Sequence, residues 1–160
     1  MAATTTAVHA SANRKQITVI HQPATSATAQ LVDLGQPQGA STKCLAIEGY
    51  RHFTAQVTAS ALTGAGVTVF GICGATAAAG TGASASTIAA SHAVGTAPDA
   101  EGDSLFLECN VEQLREVLST ATHIGVWLDC ANDADEIAVT FTCEDPYYPV
   151  AGLTADYTAA

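Results

Sequence analysis

The feature that most constrains this chain is a repeated two-residue period. Phe53, Ala55, Val57 and Ala59 alternate with His52, Thr54, Gln56 and Thr58, and in an extended chain successive side chains point to opposite faces. The pattern predicts a half-buried strand. Val67, Val69, Gly71 and Cys73 repeat it after the turn Thr63-Gly64-Ala65-Gly66, but here the opposite set holds Phe70 and Ile72. That strand should be covered on both sides. Leu105, Leu107 and Cys109 alternate with Phe106 and Glu108 after a turn at 98–103. Ile124, Val126, Leu128 and Cys130, then Ile137, Val139, Phe141 and Cys143, flank the loop Asn132-Asp133-Ala134-Asp135. The spacing predicts that these last two runs form a hairpin.

Shorter β-rich segments occur at 16–20 and 29–34, and a third, at 86–90, ends a Gly- and Ala-rich loop that starts at Gly74. This makes roughly eight strands, the number of a two-sheet antiparallel sandwich. One helix is expected at 111–119, where Val111, Leu114, Val117 and Leu118 recur at helical spacing behind an Asn110 cap with Gln113 three residues on. It should lie as a lid across one end of the sheets. The fold expected is therefore all-β: a jelly-roll-like antiparallel β-sandwich with one short helix and extended terminal arms.

The ends lack the pattern. Residues 1–15 are expected to form an N-terminal arm, since Met1 to Asn13 has no period and no large apolar side chain. Residues 16–145 form the sandwich, and 146–160 a C-terminal arm holding three of the four tyrosines. Tyr147, Tyr148 and Tyr157, with Pro149 and Val150, are the expected partner contacts, because a tyrosine outside any core pattern serves as an amphipathic anchor against another subunit.

Composition narrows the function. Of 160 residues, five are Lys or Arg and fifteen Asp or Glu, a formal charge of −10, which opposes nucleic-acid binding. The imbalance is local: residues 1–98 carry four cations and two acids, residues 99–160 one cation and thirteen acids. One surface should be strongly acidic, chiefly for solvation. No apolar run is long enough for a membrane span, and Met1 to Gln16 lacks the apolar stretch of a signal peptide. The chain is expected to be made and kept soluble.

Chemistry-bearing motifs are not found. Cys44, Cys73, Cys109, Cys130 and Cys143 have no metal-binding or redox spacing and continue apolar stretches, so they read as buried free thiols made in a reducing compartment. His9, His21, His52, His92 and His123 are dispersed, without ligand spacing. Gly80-Thr81-Gly82 lacks the remaining residues of a phosphate cradle, and no nucleophile elbow occurs. The acidic sets Asp99, Glu101, Asp103 and Asp129, Asp133, Asp135 depart from the EF-hand pattern and read as solvated turns. Trp127, in an apolar strand, is expected to pack against the core or another subunit. No catalytic residue, cofactor or metal site is expected, and no enzymatic activity.

Four segments together, Tyr50-Arg51-His52-Phe53-Thr54-Ala55-Gln56-Val57, Gly66-Val67-Thr68-Val69-Phe70-Gly71-Ile72, Gly102-Asp103-Ser104-Leu105-Phe106-Leu107-Glu108 and Thr122-His123-Ile124-Gly125-Val126-Trp127-Leu128, resemble the body of tailed-bacteriophage head decoration, or cement, proteins. The similarity spans about residues 43–143 and is one of strands and turns. It implies a jelly-roll-like sandwich, often a homotrimer, made in the bacterial cytoplasm and placed on the outer capsid surface of the virion, where terminal arms bridge neighbouring major capsid proteins. The alternative is a ligand- or glycan-binding sandwich of a phage tail or head fibre, with the acidic loops holding calcium.

Overall fold

The computed structural model describes residues 5–11, 14–22, 29–34, 43–64, 66–92 and 97–146. They form ten strands: β1 (Thr5–Ser11), β2 (Arg14–His21), β3 (Gln30–Leu31), β4 (Leu45–Ala46), β5 (Tyr50–Ala61), β6 (Val67–Ala75), β7 (Ile88–Ser91), β8 (Ser104–Asn110), β9 (His123–Cys130) and β10 (Glu136–Pro146). One α-helix, α1 (Val111–Val117), and one 3-10 turn at Ala85–Thr87 complete the described elements. Two antiparallel sheets pack together as an all-β sandwich, one in the order β1-β2-β10-β5-β8, the other β3-β9-β6-β7 with β4 also on β9.

The pairings are nested. β2 pairs with β10, β3 and β4 with β9, β5 with β8 and β6 with β7, as in one long ribbon of chain doubled back on itself. Two further ladders, β5 with β10 and β6 with β9, arise where this ribbon wraps round.

The two-residue period places the core as expected. Phe53, Ala55, Val57 and Ala59 of β5 are buried, as are Ile137, Val139, Phe141 and Cys143 of β10. Their register sets large against small: Phe141 lies opposite Ala55, and Phe53 opposite Cys143. The two phenyl rings are then diagonal neighbours, stacked with centroids 6.4 Å apart. Phe70 and Ile72 of β6 with Ile124, Val126 and Leu128 of β9 supply the facing layer, all buried. The opposite face of β6 is covered too, since Gly71, Cys73 and Ala75 are also buried. Glycine is needed there because a Cβ on Gly71 would stand 2.8 Å from the Ile88 side chain, and one on Gly125 of β9 2.7 Å from the Cys44 sulfur.

The helix has the expected cap: Gln113 N donates to Asn110 Oδ1 at 2.8 Å, and Asn110 N to Gln113 Oε1 at 2.9 Å. It contacts β5 and β8 of one sheet and β6 and β7 of the other. It is shorter than the expected 111–119, and Val117 is 37% exposed. At 100° per residue Val111, Leu114 and Leu118 share one side, while Val117 falls about 120° from Val111.

Three other expectations differ from the structure. Residues 5–11, read as part of an arm, run as an edge strand antiparallel to β2; a backbone ladder needs no large side chains. Only Gln30–Leu31 of the segment 29–34 is strand, although Val32 and Leu34 are buried and Val32 N still donates to Val126 O. The stretch expected as strand at 86–90 opens with the 3-10 turn, where the Thr87 hydroxyl bonds the Ser84 amide and Gly74 O.

The hairpin expectation needs correction. β9 and β10 belong to different sheets, and the loop between them crosses the sandwich. Sheets stand about 10 Å apart, a gap that the five residues 131–135 span and a tight two-residue turn does not. The same is true of 62–66, which leads from β5 to β6.

Candidate functional site

The two crossover loops meet at Asp135, whose side chain is fully buried. Its Oδ1 accepts from Thr63 N at 2.6 Å, the Thr63 hydroxyl at 3.1 Å and Gly64 N at 3.2 Å, and its Oδ2 from Asn132 N at 3.2 Å. This carboxylate therefore bolts the loops together. In the same acidic set, Asp129 Oδ2 accepts from the Thr68 hydroxyl. In the other, Asp103 Oδ2 accepts from Ala100 N and Glu101 Oε1 from Leu62 N. These carboxylates organise turns and strands. Among the described residues, no three His, Cys, Asp or Glu side chains gather as a metal site would require.

The five cysteines are free and buried. Burial pushes each thiol up to about 12, far from the thiolate that a nucleophile or metal ligand needs. The described histidines differ in surroundings. His21 is buried, with Nε2 lacking a hydrogen-bond partner, and burial, followed by the nearby Lys43 charge, lowers it to about 4. His92 Nδ1 sits against Phe70 N and O. His123 Nδ1 meets the Thr122 hydroxyl at 2.9 Å. Trp127 lies half-buried opposite Gly71 and Leu31 on the face of β9 away from the core.

The outer face of the β1-β2-β10-β5-β8 sheet is polar, with Thr54 and Thr142 in its middle buried and the side chains towards β8 exposed. Register aligns its side chains in rows: Thr18, Thr140, Gln56 and Phe106; Gln16, Thr142, Thr54 and Glu108; Ile20, Ala138, Thr58 and Ser104. Thr18 and Thr140 hydroxyls bond at 3.0 Å, Thr58 and Ser104 at 2.8 Å. Charge collects at one end, where Arg14 Nε pairs with Glu144 at 3.2 Å and His52 lies 3.7 Å from Glu108 and 3.9 Å from Glu144. The rows through Thr140 and Ala138 carry no charged side chain on β2, β10, β5 or β8. Phe106, 55% exposed, is the largest apolar side chain that the described residues present to solvent.

A groove of about 670 Å³ opens at one end of the sandwich, lined by Ile47, Tyr50, Val111, Arg115, Thr122 and His123 among others. Sequence reasoning missed it because its walls come from three separate segments. Phe106 was not singled out either; the signal that could have found it is its place on the same side of the strand as Glu108. The expected contacts Tyr147, Tyr148, Pro149, Val150 and Tyr157 lie outside the described residues. Comparison with family models, curated proteins and solved structures finds no match to this chain.

Proposed function

We propose that this chain is a structural virion protein that binds the outer surface of a phage capsid and stabilises the shell by bridging major capsid proteins. The observation that carries the reading is the pair of uncharged rows on the outer sheet face, Thr18-Thr140-Gln56-Phe106 and Ile20-Ala138-Thr58-Ser104, with Phe106 exposed on the edge strand β8, in a chain of net charge −10. An uncharged surface can dock on a shell without desolvating charges, and an exposed aromatic is the kind of side chain that dominates such contacts. Two packed sheets provide a platform, and nothing in the reading requires catalysis.

The jelly-roll part of this proposal is supported by the nested pairing of β2 with β10, β3 with β9, β5 with β8 and β6 with β7, the arrangement produced by wrapping a doubled ribbon into two sheets. Trimer formation, like bridging, would add contacts on the same footing: each site occupied stabilises the bound shell by mass action. A calcium-dependent fibre module gains less support, because Asp135, Asp103 and Glu101 already accept hydrogen bonds from the backbone.

The test is co-sedimentation of the purified chain with expanded shells that lack it. Saturable binding at a copy number near that of the major shell protein is expected, with Phe106→Asp weakening it at unchanged thermal stability. Absence of binding to shells, or equal binding by Phe106→Asp, overturns the proposal.

A further inference from the structure

The groove at the end of the sandwich stands beside the point where the last described strand stops. β10 runs antiparallel to β5, and its final residue, Pro146, lies opposite Tyr50, one of the residues that line the groove. Fourteen residues follow, beginning Tyr147-Tyr148-Pro149-Val150 and carrying no charged side chain before Asp156. Four extended residues cover about 13 Å, so the tyrosines nearest the strand are the ones that the groove can receive.

The chemistry of the two matches. Ile47 and Val111 form an apolar floor, buried to 5% and 3% exposure. Arg115 stands on the rim of the groove. It is the single cation among residues 99–160 and is exposed. A guanidinium over a tyrosine ring gains cation–π attraction that a neutral rim would not give. Tyr148 precedes a proline, and a residue before proline favours extended backbone, a preference that suits continuation along the groove rather than a turn away from it. Because the segment is tethered at Pro146, its effective concentration at the groove is in the millimolar range, and weak contacts suffice to fill it.

We propose that the groove is the seat of the chain's own C-terminal segment, with Tyr147 and Tyr148 against Ile47, Val111 and Arg115. The inference is independent of the shell-binding reading, and its test uses the isolated full chain. In isotope-labelled protein, NOEs are expected from the Tyr147 and Tyr148 rings to the methyl groups of Ile47 and Val111. The full-length double variant Tyr147→Ser, Tyr148→Ser should lose them and shift the amides of 46–50, 111–115 and 122–123, leaving the rest of the spectrum in place. In a mixture of labelled and unlabelled chains the NOEs should be intramolecular. Intermolecular NOEs, which would place a second copy in the groove, overturn the proposal, as do unchanged groove amides in the variant.

Discussion

Replacing Asp135 should loosen both crossovers at once. In Asp135→Ala the amides of Thr63, Gly64 and Asn132 and the Thr63 hydroxyl lose their acceptor. An unsatisfied buried donor costs about 1–3 kcal/mol, but Thr63 and Gly64 are themselves exposed, so water reaches part of the vacated site and the low end of that range applies. Four donors then give a loss of about 3–4 kcal/mol. For a chain of this size that is a fall in Tm of about 7–14 °C. Asp135→Asn keeps one acceptor but turns an NH2 group toward either Asn132 N or the Thr63 pair, and should cost about 1–2 kcal/mol. Equilibrium denaturation in urea measures both, with the slope unchanged if the fold is intact. Hydrogen exchange should show Thr63 and Gly64 losing protection before the strands do. A loss below about 1 kcal/mol for Asp135→Ala would refute the assignment of this carboxylate as the bolt between the loops.

Phe141→Ala removes a ring stacked on Phe53 in the core and should destabilise by about 3–5 kcal/mol, read from the same denaturation curves. His21 is lowered to about 4 by burial and the Lys43 charge. The unfolded chain therefore binds the proton more readily, and stability present above the ordinary histidine value of 6.5 should drain away as pH falls toward 4. The slope in that window should approach about 1.4 kcal/mol per pH unit. A His21→Leu variant should flatten it, and an unchanged slope in that variant would assign the acid sensitivity elsewhere. The five thiols, raised to about 12, should resist a thiol reagent at pH 8 in the native chain and all react on unfolding; rapid native labelling at any one would place it at the surface.

The inward faces of β5, β6, β9 and β10 were legible because burial on alternate residues leaves its mark in composition. The helix start was legible because Asn110 and Gln113 form a local device. Sheet membership was not. Ile124 to Cys130 and Ile137 to Cys143 bury the same alternating set whether the strands pair with each other or with distant partners, and the partners are set by contacts far along the chain. Asp135 looked like a solvated turn residue, since only its proximity to Thr63 and Gly64, about seventy residues away, makes it a buried acceptor. Thr5 to Ser11 carries no apolar stripe, so a strand held by its backbone left no signal there. The groove drew on segments around 47, 115 and 123, and no local pattern joins them.

The place of β10 in its sheet bears on how the chain is born. It lies between β2 and β5, yet it is the last of the described strands to leave the ribosome. Until it arrives, that sheet exists as two fragments, β1-β2 and β5-β8, each presenting an unpaired edge. The opposite sheet has all its strands by residue 130. Synthesis therefore delivers one finished layer and one with its central slat missing, and closure requires residues about 120 apart in sequence, such as Thr18 and Thr140, to find each other. Such long-range ladders form in milliseconds to seconds, a window in which a neighbouring nascent chain can offer the same strand.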